Sequence, residues 1–206
     1  MRVGDRGPVT VALFHSMFGL RQVELLAADR LRDAGHHVVT PDLFDGAVAA
    51  EPGSAPTLDD GFALVARVGW ETIVARARAA VRDLPPDTVL GGFSMGVGVV
   101  GSLWPERLAS SGVFQLHATA RVPRGVGAGT PVQAHVAEGD RFAPPDELAA
   151  FRASAADVNA DAALHVYPGA GHFYSDPSLP DYDAVATDHT WRHVHALLEK
   201  VRHMAL

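Results

Sequence analysis

Ser94 lies in Gly92-Phe93-Ser94-Met95-Gly96, a G-x-S-x-G pattern in which glycines two residues either side of a serine let two backbones approach closely. Thr88 to Leu90 before it is β-branched or apolar, and Val97, Val99, Val100 and Leu103 after it form an apolar helical run. The stretch therefore reads as a buried strand turning at once into a helix, with Ser94 strained and exposed on the corner. The helix N-terminus beneath it offers unpaired N–H groups and a positive dipole end, which suits a developing oxyanion. Serine is a weak nucleophile until a base takes its proton, and that base needs an orienting acid, so a carboxylate and then a histidine are expected downstream. Asp140 follows a strand end in Glu138-Gly139-Asp140, and His172 follows the last strand in Pro168-Gly169-Ala170-Gly171-His172-Phe173. The order Ser, Asp, His is that of a nucleophile elbow with its two partners, and the chemistry is acyl transfer. Asp140 has a rival reading as a turn-capping residue, and Glu138 and Asp146 are rival carboxylates.

Other polar residues carry weaker signals. His15 and His117 sit at or near strand ends and read either as pocket walls or as hydrogen-bonded core histidines. His189 and His193 are spaced i, i+4 as metal ligands can be, but no third ligand is in reach and a solvated helix face is the expectation, with no metal. Trp70 fits a pocket or the core equally well. The chain has no cysteine, which removes disulfides, thiolate zinc sites and a thiol nucleophile together.

The elements that must position these groups alternate along the chain. Val9 to Phe14 is a short apolar run suited to a strand buried on both faces. Val23, Leu26, Leu31 and Ala34 fall at helical spacing before Gly35, which predicts a helix over 21–34. Residues 37–40 form a second strand leading into Pro41-Asp42-Leu43-Phe44, and the β-α-β unit so made demands a right-handed crossover. Residues 45–61 are turn-rich without a period, a loop that leaves a strand's carboxyl end and so overhangs the edge where open α/β sheets bind ligands. A helix over 71–84 buries Ile73, Ala77, Ala80, Val81 and Leu84, keeps Arg76, Arg78 and Arg82 in solvent, and stops at Pro85-Pro86. Trp104-Pro105 interrupts the helix after Ser94. Strands follow at 111–116, 130–136 and 162–167, with a helix opening at Pro144-Pro145 and a last one with Trp191, Val194, Leu198 and Val201 inward. This alternation predicts a three-layer α/β fold with a mainly parallel sheet in a single domain spanning 1–206 and no large cap domain.

Composition excludes some partners. A net charge of −7 with no basic run argues against nucleic acid and anionic membrane surfaces. No apolar core of a signal peptide appears in Met1 to Pro8, and no stretch of about 18 apolar residues is available to span a bilayer, so a cytoplasmic protein, monomer or homodimer, is expected.

Several stretches, in order, resemble the dienelactone hydrolase family of the α/β-hydrolase superfamily. They are His15-Ser16-Met17-Phe18-Gly19, Pro41-Asp42-Leu43-Phe44, the Gly92 to Gly96 elbow, Tyr167-Pro168-Gly169-Ala170-Gly171-His172-Phe173, and Tyr182-Asp183-Ala184 at the opening of the last helix. The resemblance implies Ser94 as nucleophile, Asp140 and His172 as its partners, and the backbone N–H groups of Met17 and Met95 as an oxyanion hole. It implies a small ester or lactone as substrate and no cofactor. The best-known members have a cysteine where this chain has Ser94, a glutamate where it has Ser16, and an arginine soon after the catalytic histidine, where Phe173-Tyr174-Ser175-Asp176 has none. The expected pocket is accordingly neutral, aromatic and apolar, with His15, Ser16, Phe18, His117 and Phe173 as substrate-binding residues and the Ser16 hydroxyl beside the scissile carbonyl. The leading function is a serine esterase or lactonase; the alternatives are the same triad used for cyclisation, acyl transfer or a lyase step, and a non-catalytic binding module.

Overall fold

The computed structural model describes residues 7–50 and 54–204. Met1 to Arg6, read above for targeting features, and Glu51 to Gly53 of the turn-rich segment lie outside the described residues. Six strands, β1 (Thr10–Phe14), β2 (His37–Val39), β3 (Val89–Phe93), β4 (Val113–Leu116), β5 (Pro131–Ala137) and β6 (Asp161–Tyr167), form one sheet in the order β2-β1-β3-β4-β5-β6. Every neighbouring pair is parallel. The helices are α1 (Gln22–Asp33), α2 (Leu58–Val68), α3 (Trp70–Val81), α4 (Met95–Leu103), α5 (Pro145–Asp157) and α6 (Ala184–His203).

Strand residues alternate between two cores. Val11, Leu13, Val89, Phe93, Phe114 and Leu116 pack with Ala28 and Leu31 of α1 and with Trp191, Val194 and Leu198 of α6. Ala12, Phe14, Leu90, Val113 and Val132 pack on the opposite face with side chains of α2, α3, α4 and α5. Burial on both faces explains why the strands read as nearly unbroken apolar runs. The chain leaves β1 toward β2 on one side, while β3 pairs with β1 on the other. The crevice for a ligand in an open α/β sheet opens at such a reversal, and here it receives the loop after β1 and the start of α4. Among the described residues no helix is long and apolar enough to cross a membrane.

The structure departs from the sequence reading between residues 57 and 70. The expected loop ends early, because Thr57 caps α2: Asp60 N–H donates to Thr57 Oγ1 at 3.2 Å, while Asp60 Oδ2 accepts from Thr57 N–H at 2.9 Å. This reciprocal pair is a capping box closed by an aspartate. The arginines of α3 do more than solvate it. Arg78 grips Glu106 through two hydrogen bonds of 2.8 and 2.7 Å, and Arg76 donates to the Leu43 carbonyl at 2.8 Å, tying α3 to the loop after β2. Trp70 stands 41% exposed at the head of α3, where the space above Gly98 of α4 admits its ring.

The β5, β6 and α6 corner holds three stacked imidazoles. His165 lies 3.9 Å from His193 and 4.7 Å from His135, centroid to centroid. His135 is bonded to Tyr167 Oη and Gln133 Oε1, whereas His165 Nε2 is buried without a hydrogen-bond partner among the described residues. Burial, and secondarily the neighbouring His193, depress His165 to about 4, and His135 is held well below 6.5 for the same reasons. His193 is lowered by burial and then by the positive charges of His189 and Arg192. A histidine with a depressed folded-state pKa binds more protons when unfolded, so its contribution to stability is complete above 6.5 and disappears as pH falls towards about 4. Denaturation midpoints are therefore expected to fall through this window, and less steeply in His165→Gln; an identical pH slope in the variant would remove His165 from the account.

Candidate active site

The corner after β3 is built by backbone contact. A Cβ on Gly92 would stand 2.4 Å from the Gly96 carbonyl carbon, and one on Gly96 would stand 2.4 Å from the Phe14 carbonyl oxygen. Neither position admits a side chain, so the two glycines let β3, α4 and the end of β1 meet. Ser94 between them has φ 48° and ψ −105°, a conformation costing about 1–3 kcal/mol that only surrounding structure maintains. Its N–H donates to the Leu116 carbonyl at 2.7 Å, which locks the corner to β4.

Ser94, Asp140 and His172 converge at the carboxyl edge of the sheet. Ser94 Oγ is 2.9 Å from His172 Nε2, and His172 Nδ1 is 2.5 Å from Asp140 Oδ2. The Asp140 side chain is 2% exposed, and its Oδ1 accepts Phe142 N–H at 2.9 Å. An acceptor on the Nδ1 side places the imidazole proton there, so Ser94 Oγ–H donates to the free lone pair of Nε2. The rival carboxylates Glu138 and Asp146 are both exposed.

Met17 and Met95 bring their backbones to the same corner. Met17, Phe18, Phe173 and Leu179 form one small apolar cluster with Met95 packed against it. Among the described residues neither the Met17 nor the Met95 N–H has a hydrogen-bond acceptor within the chain. A cavity of about 360 Å³ opens beside His172, walled by Phe18, Leu58, Phe142, Phe173 and Leu179. Arg141, Asp140 and Asp181 also line it, so the expected aromatic and apolar walls stand beside one arginine and two aspartates. Arg141 lies over the Phe142 ring at 4.7 Å, and Asp181 accepts Phe173 N–H at 3.2 Å.

Three of the expected substrate-binding residues do not line this cavity. His15 is fully buried, donates from Nδ1 to the Ser16 carbonyl at 2.7 Å and accepts Leu43 N–H at Nε2, so the core reading holds and burial lowers its pKa. His117 is 2% exposed and lies behind the site, its Nε2 bonded to Ser175 Oγ at 2.8 Å and its ring 5.9 Å from that of His172. Burial holds it well below 6.5, which keeps a second positive charge away from His172. Ser16 turns its hydroxyl into the protein, toward Glu24, rather than toward a scissile carbonyl. Phe18 and Phe173 do face the cavity and touch each other with centroids 4.7 Å apart. His193 is spent in the imidazole stack, and among the described residues no cluster of three or more histidines and carboxylates is arranged for a metal.

The loop that carries His172 is held by residues with no signature of their own. Arg21 Nη1 pairs with Asp176 at 2.9 Å and Nη2 donates to Ser178 at 2.6 Å, while His117 holds Ser175. No local sequence pattern marks Arg21 or Asp176, because they lie 155 residues apart. Glu24 at least sat three residues after Arg21, at the spacing of a helix-capping carboxylate.

The model of the dienelactone hydrolase family matches residues 3–202. The chain belongs to the dienelactone hydrolase family. As a member of it, the protein is an α/β-hydrolase of dienelactone hydrolase type, with the fold that family shares. The fold is similar to that of P91, a dienelactone hydrolase-like promiscuous phosphotriesterase from metagenomic libraries, at TM-score 0.72 and 19% identity over 95% of this chain and 87% of that one. It is similar also to a dienelactone hydrolase described as putative from Klebsiella pneumoniae subsp. pneumoniae, at TM-score 0.69 and 18% identity over 93% and 87% of the two chains. A third likeness is to the carboxylesterase Cest-2923 from Lactobacillus plantarum, at TM-score 0.56 and 13% identity over 97% and 89%. No curated protein matches the chain.

Proposed function

We propose that this protein hydrolyses small carboxylic esters or lactones through an acyl-enzyme on Ser94. The observation that carries the reading is the unbroken hydrogen-bonded line from Ser94 Oγ through His172 to a buried Asp140, set on a strained corner at a helix N-terminus. Ser94 Oγ attacks the ester carbonyl while His172 Nε2 takes its proton, and the carbonyl oxygen becomes an oxyanion facing the Met17 and Met95 N–H groups. Collapse breaks the acyl C–O bond, and the alkoxy oxygen takes the proton from His172, departing as the alcohol of an ester or remaining as the free hydroxyl end of an opened lactone. Water then attacks the acyl group by the same route, giving up a proton to His172 and releasing the acid and Ser94.

The substrate we propose is small, apolar near the ester and without a free carboxylate. Phe18, Phe142, Phe173 and Leu179 suit an apolar acyl or alkoxy group, and about 360 Å³ holds a small one. Asp140 and Asp181 line the cavity beside Arg141, so a free carboxylate there meets two anionic residues as well as one cation. A fluorophosphonate probe is expected to label Ser94, and kcat/KM is expected to be about tenfold or more higher for a methyl ester than for the matched substrate bearing a free acid. An unlabelled protein overturns the mechanism. A preference for the acid that Arg141→Ala abolishes overturns the substrate class alone.

A further inference from the structure

Glu24 is a carboxylate out of reach of water, 1% exposed in the first turn of α1. Burial pushes its carboxyl up, and surrounding hydrogen-bond donors oppose that push. Its side-chain partners all donate: Ser16 N–H at 3.2 Å and Ser16 Oγ–H at 2.9 Å to Oε1, and Arg21 N–H at 3.1 Å to Oε2. A buried ionised carboxylate satisfied only by neutral donors is costly, and a helix cap does not need burial. The placement therefore calls for a second role.

That role lies in the peptide between Ser16 and Met17. Its carbonyl is pinned by His15 Nδ1–H at 2.7 Å and Gly19 N–H at 3.2 Å. The Ser16 hydroxyl, its proton committed to Glu24, accepts Phe18 N–H at 3.4 Å. In a planar trans peptide the N–H points opposite the carbonyl, so fixing Ser16 on one side and Phe18 on the other fixes the direction of the Met17 N–H between them. We propose that Glu24 is a positioning residue that aims the Met17 N–H at the oxyanion, an inference that rests on the acyl-enzyme reading above. Through Oε2 the same carboxylate holds the Arg21 backbone, and the Arg21 guanidinium grips Asp176 and Ser178 on the loop of His172. One buried group thus sets the oxyanion donor and the base loop in a common frame.

The test is Glu24→Gln, which keeps the shape but turns an NH2 toward groups that are themselves donors. Steady-state kinetics on an ester that the wild type cleaves are read beside the affinity of a trifluoromethyl ketone, which adds to Ser94 Oγ with transfer of its proton to His172 and places an oxyanion in the hole. Losing one oxyanion donor costs about 10²–10³ in kcat, so displacing one is expected to lower kcat and inhibitor affinity together by about 10- to 100-fold, with KM within twofold. A purely structural Glu24 would lower the denaturation midpoint and leave both quantities within twofold of wild type, which overturns the proposal. A fall in kcat with unchanged inhibitor affinity overturns it as well. Should Glu24→Gln fail to fold, Ser16→Ala deletes the hydroxyl link and keeps the carboxylate; a parallel fall of about tenfold supports the proposal, and unchanged values sink it. Fluorophosphonate labelling separates the two readings: an unlabelled wild type removes both, whereas equal labelling rates of wild type and Glu24→Gln remove the Glu24 role alone.

Discussion

Ser94→Ala is expected to fold as the wild type does and to lose about 10⁵–10⁶ in kcat, the scale seen when a triad nucleophile is removed. The two expectations have separate causes. Stability at this corner is carried by backbone: the Ser94 N–H to Leu116 bond of 2.7 Å and the contact of Gly92 with Gly96, which alanine preserves. Among the described residues the Ser94 hydroxyl bonds only to His172 Nε2, in a partly exposed site where water can replace it, so the unfolding free energy should move by no more than about 1 kcal/mol. Activity has no such substitute, since in the proposed mechanism the covalent bond to the acyl group forms at Oγ. Kinetics and a urea melt on one preparation check both halves. A variant that keeps near-wild-type turnover would assign the nucleophile elsewhere.

The elbow was legible because its requirements are local. Apolar β3, two glycines and an apolar α4 announce a strand-to-helix corner without knowledge of anything distant, and the parallel sheet follows from strands apolar on both faces. The order of Ser94, Asp140 and His172 then narrowed the partners to residues that the fold does bring within hydrogen-bond distance. What was not legible depends on where side chains point in three dimensions. His15 and His117 sit at strand ends, as pocket residues do, yet both are buried and neither lines the cavity. His117 turns on a positive φ of 70°, which no pattern of residue types would reveal. The resemblance places Ser16 beside the substrate, whereas its hydroxyl donates to Glu24, a partner eight residues away that no local pattern marks. Helix α2 was missed for the opposite reason. Its signal was local, the Thr57-Leu58-Asp59-Asp60 capping box, but Pro52, Gly53, Pro56 and Gly61 around it read as loop.

Pocket chemistry shows the same division. Phe18 and Phe173 could be anticipated from the stretches that flank β1 and His172, whereas Leu58, Phe142 and Asp181 reach the cavity from three other segments. Each is placed by tertiary packing rather than by its neighbours in sequence. The site is therefore a locally encoded serine corner faced by a wall whose composition is set globally, which is why reaction type is easier to read here than substrate.

Asp140→Asn is expected to lose about 10⁴ in kcat while Glu138→Gln stays near wild type, and the hydrogen bonds around Asp140 say why. Oδ1 accepts Phe142 N–H at 2.9 Å and Oδ2 accepts His172 Nδ1–H at 2.5 Å, so both oxygens serve as acceptors. Asparagine offers one acceptor. If its oxygen stays with Phe142, its NH2 faces Nδ1 and donates to it, which drives the imidazole proton to Nε2 and points an N–H at Ser94 in place of a lone pair. If the amide flips, Nδ1–H keeps an acceptor, but the NH2 then meets Phe142 N–H, donor against donor, in a side chain that is only 2% exposed. The first arrangement keeps every buried group paired and is the one expected, at the cost of the wrong tautomer. Proton NMR should show it directly, through loss of the downfield Nδ1–H resonance in Asp140→Asn and its persistence in Glu138→Gln. An Asp140→Asn enzyme within tenfold of wild type, or a crippled Glu138→Gln, would move the orienting carboxylate off Asp140, because the exposed Glu138 has no comparable pair of buried donors to satisfy.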